Sequence, residues 1–180
     1  DFPGGDSFDQ AQAVLVQADG KIVVAGATDT GPWDSAGIIR LETNGALDAG
    51  FGTGGLVVVD FGTRGLTAYD VALQSSGKII VGGRTYGTGV DGISGGFALA
   101  RLTTAGVLDT SFGTSGTTGR VFVGSTDNAG RNLAIRADDS IVLSGAAQMS
   151  ASGWDFALLS FDADGNNPSA RDGHAGAYNR

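Results

Sequence analysis

The chain has 180 residues, enough for one ordinary domain with its own core, and 41% of them are hydrophobic, which excludes a disordered composition. A net charge of −8 and a pI near 4.3 argue against nucleic acid or an anionic membrane surface as partner. The lack of cysteine excludes disulfides, thiolate metal sites and a cysteine nucleophile.

Glycine is the outlier, with 32 residues against 3 prolines and no Gly-X-Y period. Glycine spaced among Val/Ile runs predicts many tight turns between short strands. No apolar run approaches the roughly 20 residues needed to span a membrane as a helix. The sequence starts at Asp1 without methionine and ends at Arg180, so both ends read as processed or cut from something longer.

In chain order, the first predicted hairpin joins "AVLVQ" (13–17) to "KIVVAG" (21–26) through Ala18-Asp19-Gly20. The same hairpin returns as "VALQ" (71–74) and "KIIVGG" (78–83), joined by Ser75-Ser76-Gly77. It returns again as "LAIR" (133–136) and "SIVLSG" (140–145), joined by Ala137-Asp138-Asp139. Three linking residues predict a type I turn closed by a left-handed residue, a conformation open to glycine and tolerated by aspartate. A third strand follows in each unit: "AGIIRL" (36–41), "FALARL" (97–102) and "FALLSF" (156–161), each ending in a turn at Gly45, Gly106 or Gly165. "LVVVDF" (56–61) and "RVFVG" (120–124) read as one further strand each, and no helical period is found.

The period is near 60 residues, with units at about 1–60, 61–123 and 124–180. Strands apolar on both faces must be covered on both faces. The expected fold is therefore all-β and β-propeller-like: three four-stranded blades forming part of a ring, in a single domain. The small pairs Ala25-Gly26, Gly82-Gly83 and Ser144-Gly145 mark places where backbones crowd.

The segments "QADGKIVVAG", "IIRLETNGALDAGFGTGG", "QSSGKIIVGG" and "FALARLTTAGVLDTSFGTSG" together resemble the delta-60 repeat, a propeller-type repeat of bacterial proteins. The third unit departs from it at Asp139, Ser140 and Ser160, and again after Gly165. The resemblance implies a propeller in a secreted or cell-surface protein, hence an extracellular location, and no common catalytic activity.

Three blades leave two open apolar faces, so a homo-oligomer or a companion propeller chain is expected to complete the ring. The loops after the second strands carry an aromatic beside an acid: Trp33 with Asp34, Tyr86 with Asp91, Trp154 with Asp155. Such a face suits a glycan or a cation. Arg40 and Arg101 lie in apolar strands and need partners, for which Asp48 and Asp109 are the natural choice within or between blades. Asp162, Asp164 and Asn166 alternate like the start of a calcium loop but also occupy a repeat turn; no other cofactor is expected. Ser7 in "GDSF" and the single histidine, His174, lack the preceding strand and helical scaffold of a hydrolase. The function expected is a non-enzymatic binding or scaffold module, with a lectin-like propeller or a subunit or processed fragment of a larger secreted enzyme as alternatives.

Overall fold

A computed structural model describes residue 2 and residues 9–29, 34–61, 65–87, 95–113, 120–124, 129–150 and 153–166. Eleven strands and no helix occur among them. The first sheet holds β1 (Asp9–Val16), β2 (Ile22–Thr28), β3 (Ser35–Leu41) and β4 (Leu56–Val59). The second holds β5 (Gly65–Leu73), β6 (Ile79–Tyr86), β7 (Gly95–Leu102) and β8 (Arg120–Gly124). The third holds β9 (Ala129–Ile135), β10 (Ile141–Ser150) and β11 (Gly153–Phe161); any fourth strand of this unit lies outside the described residues. Each sheet is antiparallel and strictly sequential, so each is one blade. The blades stack as an open, three-blade portion of a propeller, with the first strand β5 meeting β1 on one side and β9 on the other.

The turn chemistry of the repeat explains its register. Gly20, Gly77 and Asp139 take φ of 83°, 78° and 63°, each closing a turn in which the backbone N–H returns to the carbonyl three residues earlier. Gly45, Gly106 and Gly165 do the same after the third strands.

The first strands begin several residues before the apolar "AVLVQ", "VALQ" and "LAIR" runs. A β-bulge at Gln12, Tyr69 and Arg131, at the same point of all three blades, breaks the alternation that would have shown this in the sequence. The bulge presses the carbonyl of Gln10, Thr67 or Ala129 against Gly26, Gly83 or Gly145, where any Cβ would overlap that oxygen. Crowding of backbone on backbone thus fixes glycine as the second member of each small pair.

Two apolar clusters lie between the blades. Val23, Ala25, Ala36, Ile38 and Phe51 of blade 1 pack on Leu66, Val71, Ile79, Val81 and Leu102 of blade 2. Ile80, Phe97, Leu99 and Phe112 of blade 2 pack on Ile141, Leu143, Leu159 and Phe161 of blade 3. Every residue of β7 is buried, as a strand covered on both sides must be.

Candidate interface: the blade latch and the open faces

The structure brings the strand arginines and the loop aspartates together. Arg40 Nε donates to Asp48 Oδ2 at 2.7 Å, and Arg101 Nε to Asp109 Oδ2 at 2.8 Å. Lysines from the hairpins complete each group: Lys21 Nζ is 2.8 Å from Asp48 Oδ2, and Lys78 Nζ is 2.8 Å from Asp109 Oδ2. The Lys21 bond is the main reason the Asp48 carboxyl lies well below the usual carboxylate range. At Asp109 burial acts to raise the carboxyl. Bonds from Lys78 and Ser111 and the charge of Arg101 outweigh it, and the group is again held well down.

These charges latch one blade to the next. Arg40 Nη1 donates to the carbonyl of Thr104 in blade 2, and Arg101 Nη1 to that of Ala163 in blade 3 at 2.8 Å. The guanidinium of Arg40 lies 4.4 Å from the Phe51 ring centre, and that of Arg101 lies 4.7 Å from the Phe112 ring centre. Phe51 in turn lies under Gly106, and Phe112 under Gly165: a Cβ on either glycine would stand 2.8 Å or 2.6 Å from the ring. The next backbone N–H closes the latch, Gly52 donating to Ala105 O and Gly113 to Asp164 O, both at 2.8 Å. The seat is thus a turn with a left-handed glycine, an aromatic ring below it and two carbonyls facing the neighbouring blade.

Further links join blade 2 to blade 3. Asp70 accepts the Leu133 N–H at 2.8 Å. Gln74 Nε2 reaches Asp139 O and Ala163 O. Asp139 holds Ser75 through the backbone N–H at 2.7 Å and the hydroxyl at 2.6 Å. The residue that disrupts the repeat to the eye therefore keeps the turn and adds a clamp.

The loop face is divided. Tyr86 packs on Gly65, and burial and the nearby Asp34 carboxylate push its phenol up. Leu66 N also donates to Asp34 O, so Asp34 and Tyr86 are engaged at the blade 1–blade 2 boundary. Trp33 and Asp91 lie outside the described residues, as do Ser7 and His174, and Asp155 is described only as part of β11. Trp154 is exposed. It lines an open groove of about 530 Å³ with Phe156, Arg131, Asn132, Ser144, Gly145 and Ala146. Asp162 accepts from the N–H groups of Asp164 and Asn166 and from the Asn166 side chain, while Asp164 Oδ1 accepts from Arg101 Nη1 at 3.2 Å. These three residues form the seat of the Arg101 latch.

The repeat exposes what the open faces lack. Phe97 and Phe156 are equivalent, yet Phe97 is 1% exposed and Phe156 91%. On the opposite side, Val71 is 7% exposed and its counterpart Val14 is 65%. Val16 and Leu47 are also exposed, whereas Leu73 and Leu108 pack against the first cluster. Sequence reading did not single out Phe156, Val14 or Leu47; superposing the three units marks them.

A family model described as a domain of unknown function (DUF5122) beta-propeller matches residues 17–51 and 74–112. The two matched stretches run from the first turns of blades 1 and 2, through their second and third strands, to the latch phenylalanines Phe51 and Phe112, so the repeat is of propeller type. No curated protein matches the chain.

Proposed function

We propose that the chain is a non-enzymatic propeller module for binding or scaffolding, whose two open faces take further blades from a second copy or a companion chain. The observation that carries this reading is the contrast between Phe97, sealed by blade 3, and Phe156, facing outward with nearly all of its side chain accessible. Burying a phenylalanine of this kind is worth about 1.5–3 kcal/mol, a strong drive towards coverage. The resemblance to delta-60 repeats supports a secreted or cell-surface setting, and the acidic surface is compatible with it. Sedimentation velocity over a concentration series tests the proposal. Association above the 18.0 kDa monomer is expected, weakened at least tenfold by Phe156→Ser. A monomer at all concentrations overturns it.

A second reading, carbohydrate binding, rests on the exposed Trp154 beside Asn132 and Ser144 in the open groove. Trp154 nevertheless stands at the position that Asp34 uses in blade 1 to reach blade 2. Blade contact is therefore the favoured use of this face. Binding on a glycan array that Trp154→Ala abolishes would reverse that order.

A further inference from the structure

The three blades do not carry equivalent latches, and the difference states what each open face accepts. Blade 3 has Ser160 where blades 1 and 2 have Arg40 and Arg101, and Ser140 where they have Lys21 and Lys78. Continuing the same alignment, Pro168 stands at the place of Asp48 and Asp109, and Arg171 at that of Phe51 and Phe112. The latch has been lost as a set, cations and acid together, which leaves no buried charge without a counterpart. Arg136, at the hairpin of blade 3, bonds within its own blade to Ser140 and Ser160, each 3.3 Å away. The outgoing face of blade 3 therefore exposes Phe156 and lacks the latch arginine.

The incoming face of blade 1 has kept its seat. Glu42 to Ala46 form the same turn as the two occupied seats, with Gly45 at φ 86°. Among the described residues nothing lies within 4 Å of the position a Gly45 Cβ would take, whereas Phe rings fill that space at Gly106 and Gly165. The carbonyls of Thr43 and Asn44, counterparts of those that accept from the latches, take no hydrogen bond among the described residues. Val14, Val16 and Leu47 of the same blade are exposed.

Building on the reading that the open faces take blades, we propose that the blade 1 seat receives a latch-bearing blade of this same repeat from a partner chain. That blade supplies a phenylalanine over Gly45, an arginine to Thr43 O and a backbone N–H to Asn44 O. The third blade of a second copy is not this partner, because its sequence offers neither the arginine nor the phenylalanine.

Two arms test this. In the native chain, Gly106→Asn is expected to lower the melting temperature by several degrees and Gly45→Asn to leave it unchanged. Asparagine tolerates the left-handed turn, so only the space above the turn differs. Equal effects overturn the proposal. In the second arm the full chain carries Ser140→Lys, Ser160→Arg, Pro168→Asp and Arg171→Phe, which gives blade 3 a latch. Its head-to-tail association, read by sedimentation, is expected to be at least tenfold tighter than that of the native chain and to lose this gain on adding Gly45→Asn. Tightening indifferent to Gly45→Asn overturns the seat. If native and latch-bearing chains associate equally and Phe156→Ser abolishes both, the seat falls while the open-face reading stands. If neither associates, both fall.

Discussion

Replacing Arg101 with serine is expected to cost about 3–5 kcal/mol, the range for breaking a buried charge pair by removing one partner. Arg101 is 2% exposed and bonds to Asp109, Ser111, Gln74, Ala163 and Asp164, so its loss takes from Asp109 its most deeply buried cation and opens the blade 2–blade 3 boundary together. Blade 3 nevertheless carries serine at this place and remains a blade. The difference lies in the company: Ser140 and Pro168 replace the lysine and aspartate as well. The triple change Lys78→Ser, Arg101→Ser, Asp109→Asn is therefore expected to be more stable than Arg101→Ser alone by about 1 kcal/mol or more, a coupling that neighbouring sites show and distant ones do not. Urea denaturation of the three proteins measures it; a triple variant no more stable than the single one refutes the argument.

The same cycle has a pH signature. Asp109 titrates below its ordinary value when folded, so its contribution is complete above pH about 4 and is lost as pH falls towards the depressed value. Asp48 acts with the same sign. Stability of the native chain should drop on acidification below pH about 4, and the triple variant should drop less steeply.

Much of the architecture is legible in the sequence because turn chemistry is local. Gly20, Gly77 and Asp139 each announce a hairpin through their tolerance of positive φ, and three hairpins at one spacing announce three blades. The pairing of Arg40 and Arg101 with Asp48 and Asp109 is accessible by a similar argument, since a cation in an apolar strand needs an acid nearby. What the latch holds is not legible. Its acceptors are the carbonyls of Thr104 and Ala163, and a carbonyl leaves no trace in residue identity. Asp70 escapes for another reason: its counterparts are Ala13 and Asn132, so no repeat signal marks it. The loop aromatics looked alike in sequence, but Tyr86 is half-buried with Asp34 while Trp154 is exposed, because which blade follows decides what covers a side chain.

Gly83→Ala should destabilise the chain by more than about 3 kcal/mol, beyond the common range for an overfilled core. Its neighbour Gly82 provides the control. A Cβ on Gly82 would meet the ends of Leu143 and Leu99, the nearest at 3.2 Å, which can move by a few tenths of an ångström, and the Leu133 Cβ at 3.6 Å, an ordinary van der Waals distance. A Cβ on Gly83 would overlap the Thr67 carbonyl oxygen and approach the Ala68 Cα at 3.0 Å. Both belong to the bulged backbone of β5, whose strand pairs with β6 along its length, so neither can withdraw without breaking the ladder. Relief would require removing the bulge, and that shifts the register by one residue and turns the apolar side chains of β5 to the wrong face. Leu66, Ala68 and Val71, all in the cluster between blades 1 and 2, would lose their places. The chain thus depends on one hydrogen atom at Gly83 to keep a strand in register, and adjacent glycines should differ sharply in an unfolding midpoint. Comparable midpoints for Gly82→Ala and Gly83→Ala would show that the bulge yields to the added carbon.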